Sequence, residues 1–449
     1  MKRYLIILVI FLLLPVGSSA QEDECAALID RALSEAAAHC GDLAPGTACF
    51  GHGDIMFTTR GDAATFAAAG DTLDLDTTCC MRLSPMQLPD AWGVAVMNVQ
   101  PDARSDSLAL VLFGDVEIHN AASSLAEIEV RVESDTPVYT GPGSHYATFA
   151  SVGAGEILYA NACNCTQNWL RVRLPGGEIG WVPARRVTIL GQVEGLPVAG
   201  QDTPVYAGMQ AFTFHSGAAR PPCEAAPENG ILIQAPAGGD ATRLWVNGVD
   251  ILLAATVFAR AEPEGELSLD VLDGSATIRV ADETIAAPPG VRVAIPLSGG
   301  YASGDHLKVT PTNPDDLEHL PLALLPRAID PAATFDNPMP LIIGQRACQV
   351  VSDRGETACA LHFVNLDGDA IVRMTSEFVY APQGKWEGSV REFPAIQAGD
   401  TVSGDLEWRV SCSLGGANFI GPVIWSITIT DEAGHVSEPF EASFNCVDG

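Results

Sequence analysis

Histidines stand beside polar or acidic residues at two points where such groups could do acid–base chemistry. His215 precedes Ser216, and the pair Asp431 and Glu432 comes shortly before His435. A nucleophilic hydrolase needs a serine or cysteine next to a base, and a third group that orients this base. Both stretches read as turns, and no third group is identifiable near either one. We therefore interpret them as solvated loop residues and predict no catalytic residues.

The motifs of common secreted hydrolases and metal sites are also missing from the sequence. There is no His-Glu-x-x-His zinc helix, no Gly-x-Ser-x-Gly elbow and no phosphate-binding Gly-x-x-x-x-Gly-Lys-Ser/Thr loop. Asp71, Asp74 and Asp76 miss the spacing of a calcium loop, and their alternation favours solvent-facing positions of a strand. We expect a protein that is not an enzyme and that carries no metal or other cofactor.

Twelve cysteines follow the first twenty residues, and their spacing favours disulfides over metal binding. Cystine bridges persist outside the cytoplasm, and neither Cys79-Cys80 nor Cys163-x-Cys165 has the gap of a zinc knuckle. Cys223 stands apart from the other groups, so either it bridges to another module or two thiols stay free. The disulfide candidates are Cys25, Cys40, Cys49, Cys79, Cys80, Cys163, Cys165, Cys223, Cys348, Cys359, Cys412 and Cys446.

The first twenty residues have the three parts of an export signal. Lys2 and Arg3 are followed by an apolar run from Tyr4 to Leu14, and then by small residues up to Ala20. A transmembrane anchor is the alternative, but the run is short for a span and acidic residues follow it at once. We predict that residues 1–20 are a cleaved signal peptide, which leaves no transmembrane anchor and places the mature chain outside the cytoplasm.

The bulk composition limits the fold and the partners. A chain of 449 residues is too long for one ordinary core, and 43 glycines with 30 prolines favour short strands over helices. A formal charge of −32 repels phosphate backbones, so we expect no nucleic-acid partner. The sequence predicts a mainly β, multidomain protein.

Residues 127–190 read as a small all-β barrel. Short apolar runs alternate with turn dipeptides such as Pro142-Gly143 and Pro175-Gly176. From Trp169 to Leu174 the alternation is strict, which predicts one core face and one solvated face. The core face holds Leu170, Val172 and Leu174, and the solvated face holds Trp169, Arg171 and Arg173.

Together these pieces resemble the bacterial SH3-like (SH3b) repeat. The resemblance rests, in family order, on Thr136-Pro137-Val138-Tyr139, Gly141-Pro142-Gly143, Trp169-Leu170-Arg171-Val172-Arg173 and Gly180-Trp181-Val182. Such repeats occur outside the cytoplasm and are thought to bind wall peptides or other proteins. The insert at 161–167 departs from the family at the hairpin that borders its usual groove.

Four aromatic residues of this barrel form the candidate ligand site. Exposed rings can line a groove that receives an extended peptide or a glycan strand. Trp181 follows Gly180 and has the position most typical of a core residue. The candidate groove residues are Tyr139, Tyr146, Trp169 and Trp181.

The segment before the barrel, residues 21–124, reads as a Cys-containing α+β module. A helix is predicted for residues 22–40, where an apolar stripe recurs and a glycine follows. Continuous apolar runs at 92–99 and 108–113 have the length of buried strands.

The segment after the barrel, residues 203–298, holds strand-like runs and is similar to the FecR-like domain. This β-rich domain is named for a periplasmic regulator of iron-citrate uptake. The resemblance rests on the run from Leu267 to Val280 and on Pro288-Pro289-Gly290 with the strand after it. Asp273-Gly274 lies between alternating runs and predicts a hairpin.

Two segments complete the predicted organisation. Residues 299–345 are rich in proline and read as a linker with one short helix from Asp315 to Leu324. Residues 346–449 show period-two patterns at 406–412 and 423–429, which favour an immunoglobulin-like β-sandwich.

The leading hypothesis is a secreted, non-catalytic cell-envelope or matrix protein. It binds a cell-wall peptide or glycan, or an extracellular protein, through its β modules. Two alternatives stay open. One is a regulatory or sensor subunit that works through the FecR-like domain with a membrane partner, and the other is an unrecognised secreted hydrolase in the N-terminal module.

Overall fold

The computed structural model describes residues 18–446 with short gaps, so most of the predicted signal peptide, residues 1–17, lies outside the described residues. The gaps are 60–62, 102–105, 123–127, 165, 176–177, 191–195, 197–198, 201–204, 220, 237, 239–240, 282, 305–306, 332–339, 347–348, 351–355, 366–370, 381–388, 393–402, 412, 415–416 and 419–420. Within the described residues, no helix has the length and apolar character needed to span a membrane.

The protein is mainly β and multidomain, as predicted. Its described α-helix, α1 (Ser18–Cys40), begins a few residues before the predicted start and ends at the predicted residue. The helix buries one stripe against the sheet that follows, because its small and apolar side chains recur at helical spacing. That stripe comprises Cys25, Leu28, Ala32 and Ala36.

Eight strands follow α1, and the two predicted apolar runs are among them, the first buried except at the half-buried Asn98 and the second fully buried. The strands are β1 (Thr47–His52), β2 (Ile55–Thr59), β3 (Ala63–Thr65), β4 (Thr72–Asp74), β5 (Thr78–Leu83), β6 (Val94–Val99), β7 (Leu108–Phe113) and β8 (Val116–Asn120). β6 pairs with both β1 and β7, and all six residues of β7 are buried.

Residues 128–189 form a separate sheet of seven strands, which we call the inserted module. Its strands are β9 (Ile128–Val132), β10 (Thr136–Tyr139), β11 (Thr148–Val152), β12 (Ile157–Cys163), β13 (Trp169–Arg173), β14 (Ile179–Pro183) and β15 (Val187–Ile189). They lie in the order β11-β10-β14-β13-β12-β9-β15. Leu170, Val172 and Leu174 face its own buried cluster, as the alternation predicts.

The chain then returns to the first sheet with longer strands. These are β16 (Ala211–Ser216), β17 (Gly230–Gln234), β18 (Thr242–Val246), β19 (Val249–Ala261), β20 (Glu266–Val280), β21 (Glu283–Ala287), β22 (Val291–Ser298), β23 (Tyr301–Ala302) and β24 (Lys308–Pro311). β16 pairs with β8, and β17 pairs with β7. The two segments that flank the inserted module therefore share one sheet and one apolar core, which we call the body.

The hairpin predicted at Asp273-Gly274 is wrong, because β20 runs straight through both residues. Opposite them the register between β19 and β20 shifts, with Thr256 facing Asp273 and Val257 facing Val271. The extra residue is a β-bulge, and Gly274 beside it adopts a φ of 78°, which a glycine tolerates. The glycine signal therefore marks a bulge in a long strand.

The predicted Pro-rich linker also carries part of the body. β23 and β24 lie within it, and two short 3-10 helices, Pro314–Leu317 and Leu322–Leu324, replace the single predicted helix. Leu317 and Leu325 of this segment are buried in one cluster with Leu28 of α1. The segment thus closes the body over the helix.

The C-terminal strands divide between two sheets. They are β25 (Pro340–Arg346), β26 (Gln349–Val350), β27 (Glu356–Asn365), β28 (Ile371–Tyr380), β29 (Ser389–Glu392), β30 (Ser403–Ser411), β31 (Ser413–Leu414), β32 (Ala417–Asn418), β33 (Gly421–Asp431) and β34 (Phe440–Cys446). β25 pairs with β21 and so continues the large sheet into β27 and β30. A second sheet has the order β29-β28-β33-β34, and β31 pairs with β32.

Candidate functional site

The candidate aromatic residues come together on one face of the inserted module. Tyr139 at the end of β10 lies opposite Trp181 on β14, and Trp181 lies opposite Arg171 on β13. Trp169 begins β13 two residues before Arg171, on the same side of the strand. Strand pairing therefore brings Tyr139, Trp169 and Trp181 together across three neighbouring strands.

Tyr139 and Trp169 form an edge-to-face pair. Their ring centroids are 5.1 Å apart and their planes meet at 88°, an arrangement that the ring quadrupoles favour. Both rings are half-buried, whereas Trp181 is only 2% exposed and packs with Ala162 and Ala199. The Tyr139–Trp169 pair thus retains accessible ring surface above a buried Trp181.

Tyr146, the fourth predicted ring, lies in the connection between β10 and β11. Its ring contacts the neighbouring imidazole of His145 in a tilted arrangement, with 4.2 Å between the ring centroids and 37° between the planes. A Cβ placed on Gly141 would come within 2.8 Å of the Tyr146 ring, so the ring covers that glycine. Tyr146 therefore belongs to a turn beside Tyr139.

Arg171 departs from the predicted alternation. It was expected on the solvated face of β13, but it is 3% exposed. Its Nε donates a hydrogen bond of 2.8 Å to Oδ1 of Asn161, and burial lowers the pKa of its guanidinium. The reason is that Trp181 and Ala199 cover this face and form a second small core on it.

The chain that leaves the inserted module contributes to this second core. Ala199 lies beyond β15, and its backbone N–H donates to the carbonyl oxygen of Cys163 at the end of β12, at 2.9 Å. Leu196 is buried in the module's main cluster. The surface next to Trp181 thus accepts a main-chain hydrogen bond from a neighbouring peptide segment.

Asn164, in the insert that departs from the SH3-like pattern, positions Trp169. Its Oδ1 accepts hydrogen bonds from the backbone N–H groups of Asn168 at 3.0 Å and Trp169 at 3.1 Å. Its Nδ2 donates to Thr166 Oγ1 at 2.9 Å. The sequence signal for this role is an asparagine a few residues before a strand, since that side chain readily bonds to its local backbone.

Four cysteines of the body form two disulfides. Cys25 of α1 bonds to Cys223, 198 residues later, and Cys40 bonds to Cys49 at a separation of 9 residues. Of the two alternatives for Cys223, the structure has the bridge to another segment. Cys163 is buried. Cys165, Cys348 and Cys412 lie outside the described residues, as do the side chains of Cys359 and Cys446.

Cys79 and Cys80 are free thiols on β5. Burial and the neighbouring Cys80 raise the pKa of the Cys79 thiol, so both the surroundings and the neighbour disfavour its thiolate. Among the described residues, no group of three or more His, Cys, Asp or Glu side chains is arranged to hold a metal ion.

The two histidines singled out for acid–base chemistry have different surroundings. His215 lies on strand β16, not in a turn as predicted, and its Nε2 is 3.6 Å from Glu117. His435 lies in a turn as predicted, and its Nδ1 is 3.0 Å from Oδ2 of the buried Asp431. Both imidazoles thus face a carboxylate. Asp431 already stands near His435 in the sequence, whereas strand pairing brings Glu117 to His215.

The three candidate calcium ligands bond to the backbone instead. Oδ2 of Asp71 accepts from two N–H groups at 2.9 Å, and Oδ1 of Asp74 accepts from the N–H of Asp76 at 2.8 Å. Oδ1 of Asp76 accepts from the N–H of Gly208 at 3.0 Å. Only Asp74 lies on a strand, so the prediction of solvent-facing strand positions is wrong for Asp71 and Asp76.

Comparison with known proteins does not place the chain in a family. No protein-family model matches it, and no curated protein matches it. A structural match is the cryo-EM reconstruction of native E. coli alpha-2-macroglobulin, with 10% sequence identity, 88% of this chain and 26% of that chain covered, and a TM-score of 0.15. The chain spans about a quarter of that protein's length, and a likeness this weak carries no argument.

Proposed function

We propose that this chain is an exported, non-catalytic binding protein whose SH3-like inserted module holds an extended segment of a cell-wall peptide or glycan, or of an extracellular protein. The proposal rests mainly on the half-buried rings of Tyr139 and Trp169, whose centroids are 5.1 Å apart and which lie over the buried Trp181. Aromatic rings of this kind offer a large apolar contact at a low cost in side-chain entropy.

The surroundings of the pair support an extended ligand. The carbonyl oxygen of Cys163 already accepts a hydrogen bond from the main chain of Ala199. Peptide-binding modules commonly combine such main-chain bonds with aromatic pockets for alternate side chains. An extended segment that crosses the Tyr139–Trp169 pair therefore meets the aromatic contact, beside a segment of this chain that already makes the main-chain one.

Two bulk properties support the exported setting. The Cys25–Cys223 and Cys40–Cys49 disulfides are stable in an oxidising compartment. The charge of −32 keeps such a protein away from anionic polymers and favours ligands with neutral or basic groups.

The test is binding of labelled wall fragments and of a peptide array by the mature chain and by Trp169→Ala. We expect the substitution to weaken binding about tenfold or more, because aromatic anchors at interfaces contribute about 2 kcal/mol or more. Trp245→Ala is the matched control, since Trp245 lies on β18 of the body. Equal binding by Trp169→Ala and the parent protein would rule the proposal out.

A further inference from the structure

A polar cavity of about 300 Å³ opens on the body, away from the inserted module. Its walls come from the ends of three strands, β19, β20 and β22, and from the connection between β16 and β17. Arg260, Ser268 and Arg292 are among its lining residues, together with Glu228, Glu262 and Glu266. This volume equals the share of about ten liquid waters, which is enough for a small organic molecule.

Both arginines of the cavity are held by carboxylates. Asp270, whose side chain is fully buried, accepts a hydrogen bond of 2.7 Å from Arg292 Nε, and Asp316 accepts one of 2.6 Å from Arg292 Nη2. Arg260 pairs with Glu228, and its Nη2 lies 3.7 Å from Oδ2 of Asp270. The guanidinium groups are therefore fixed in place before any ligand arrives.

The two guanidinium groups lie close enough to affect each other. Burial and then the charge of Arg292 lower the pKa of Arg260. Burial also acts to lower the pKa of Arg292, but the hydrogen bonds that it donates to Asp270 and Asp316, with the charges of these carboxylates, outweigh burial and raise the pKa. The two guanidinium groups thus lie near each other at one wall of the cavity, each paired with carboxylates.

Three polar atoms at or just behind this wall make no hydrogen bond within the described part of the chain. Oγ of Ser268, Nε of Arg260 and Oδ2 of Asp270 are buried there without a hydrogen bond. Ser268 is 5% exposed and lines the cavity. A buried polar group without a hydrogen bond destabilises the folded chain, so a site that leaves several unpaired is stabilised by a bound polar molecule.

We propose that this cavity binds a small zwitterion of the amino-acid class. The ligand's carboxylate lies against the guanidinium groups and the Ser268 hydroxyl, and its ammonium group lies against the carboxylates of Glu262 and Glu266. A guanidinium group matches a carboxylate in geometry as well as in charge.

The charges of the site argue against simpler ligands. Two guanidinium groups are outnumbered by the five carboxylates of Glu228, Glu262, Glu266, Asp270 and Asp316. An anion without an ammonium group meets this excess of negative charge and that of the whole chain. A cation without a carboxylate is repelled by Arg260 and Arg292, and it leaves the Ser268 hydroxyl without a hydrogen bond.

The first experiment titrates the mature protein with each common L-amino acid by isothermal calorimetry. For the amino acid that binds best, its carboxamide and its N-acetyl derivative are compared next. We expect both derivatives to bind at least about tenfold more weakly, since each loses one charge-assisted contact of about 1.5–3 kcal/mol. No binding by any amino acid at millimolar concentration, or equal binding of the derivatives, overturns the proposal.

Two conservative variants locate the site. Ser268→Ala is expected to weaken binding about tenfold, whereas Ser275→Ala, an exposed position on the same strand, leaves it unchanged. Glu262→Gln is expected to weaken binding of the free amino acid but not of its N-acetyl derivative. Its control is Glu264→Gln in the same turn, where the side chain accepts from the N–H of Gly299 at 3.0 Å.

These variants separate this proposal from the binding role of the inserted module. Thermal melts of Ser268→Ala and Ser275→Ala check that both fold. Trp169→Ala is expected to bind the amino acid as the parent protein does. Unchanged binding in Ser268→Ala, once folding is verified, means that the cavity is a water-filled structural network and overturns the proposal.

Discussion

The inserted module and the body reach a buried β core in different ways. All strands of the inserted module come from one stretch, residues 128–189, and pair only within it, from adjacent strands to the two ends of the stretch, where Val130 lies opposite Ile189. The body joins two stretches separated by that module, so that Phe113 lies opposite Gly230 and Asn120 lies opposite Phe212. The module closes on pairs within its own stretch, whereas the body depends on pairing across about a hundred residues that include the whole module.

The chain enters and leaves the inserted module at one place on the body, so the two regions can fold without disturbing each other. The backbone N–H of Ala121 donates to the carbonyl oxygen of Ala211 at 2.9 Å, so the chain leaves and re-enters the body at one point. β8 and β16 are thus the two arms of a hairpin whose turn is replaced by a whole domain. We infer that the body and the inserted module are stabilised separately.

The largest expected effect is confined to the body. Asp270→Ala leaves Arg260 and Arg292 without their buried carboxylate, and breaking such a pair costs about 3–5 kcal/mol. Calorimetry should show two transitions, with the body's transition lowered by roughly 10 °C. The transition of the inserted module should not move.

Asp250→Ala is the control for this change. Asp250 bonds to Arg243 at 2.5 Å in a half-exposed pair, which contributes about 0–1 kcal/mol. If Asp270→Ala lowers both transitions equally, the two regions unfold as one unit and the comparison fails.

The Cys25–Cys223 disulfide should contribute the next largest effect, again in the body alone. It ties α1 to the stretch that follows the inserted module, at a separation of 198 residues. The double variant Cys25→Ser with Cys223→Ser should lower the free energy of unfolding of the body by about 2–4 kcal/mol, because a bridge over a long loop restricts the unfolded chain most.

Removing the short-range disulfide tests whether the stabilisation depends on loop length. Cys40 and Cys49 are 9 residues apart, so Cys40→Ser with Cys49→Ser should cost less than the long-range pair. Denaturant titrations followed by tryptophan fluorescence measure both. A larger loss from the Cys40–Cys49 change would mean that the stabilisation does not follow loop length.

The difference between the regions also decides what the sequence can predict. In the inserted module the alternation of Leu170, Val172 and Leu174 predicts the buried face correctly, because that face depends on neighbouring strands. Arg171 fails because Ala199, well beyond the strand, covers it. The β-rich, multidomain class follows from local patterns alone.

The body shows what local patterns miss. Nothing near Phe113 specifies Gly230 as its partner, and Gly274 has the same signal whether it forms a hairpin turn or a bulge. Tyr139 and Trp169 were predicted from a motif that resembles the SH3-like repeat. Ser268, Arg260 and Arg292 line a cavity only after β19, β20 and β22 align, so no sequence motif predicts them.

The smallest expected effect gives the sharpest test of the comparison. A variant with residues 122–206 replaced by a short Gly/Ser linker turns β8 and β16 into an ordinary hairpin. The ends already meet at Ala121 and Ala211, so the body should change in stability by only about 1 kcal/mol. Its Cys25–Cys223 disulfide should still form, as a non-reducing peptide map would show.

Function should separate in the same variant. Binding of amino acids by the Ser268 cavity should persist, because its lining residues all lie after the deletion. Binding of wall fragments should disappear with Tyr139 and Trp169. An unfolded body would mean that β8 and β16 pair only when the inserted module is present. The segment before β16 also makes its own bonds to the body, because the backbone N–H groups of Gly208 and Met209 donate to the side chains of Asp76 and Asn120. Those bonds remain in the variant, so we expect the body to fold without the module.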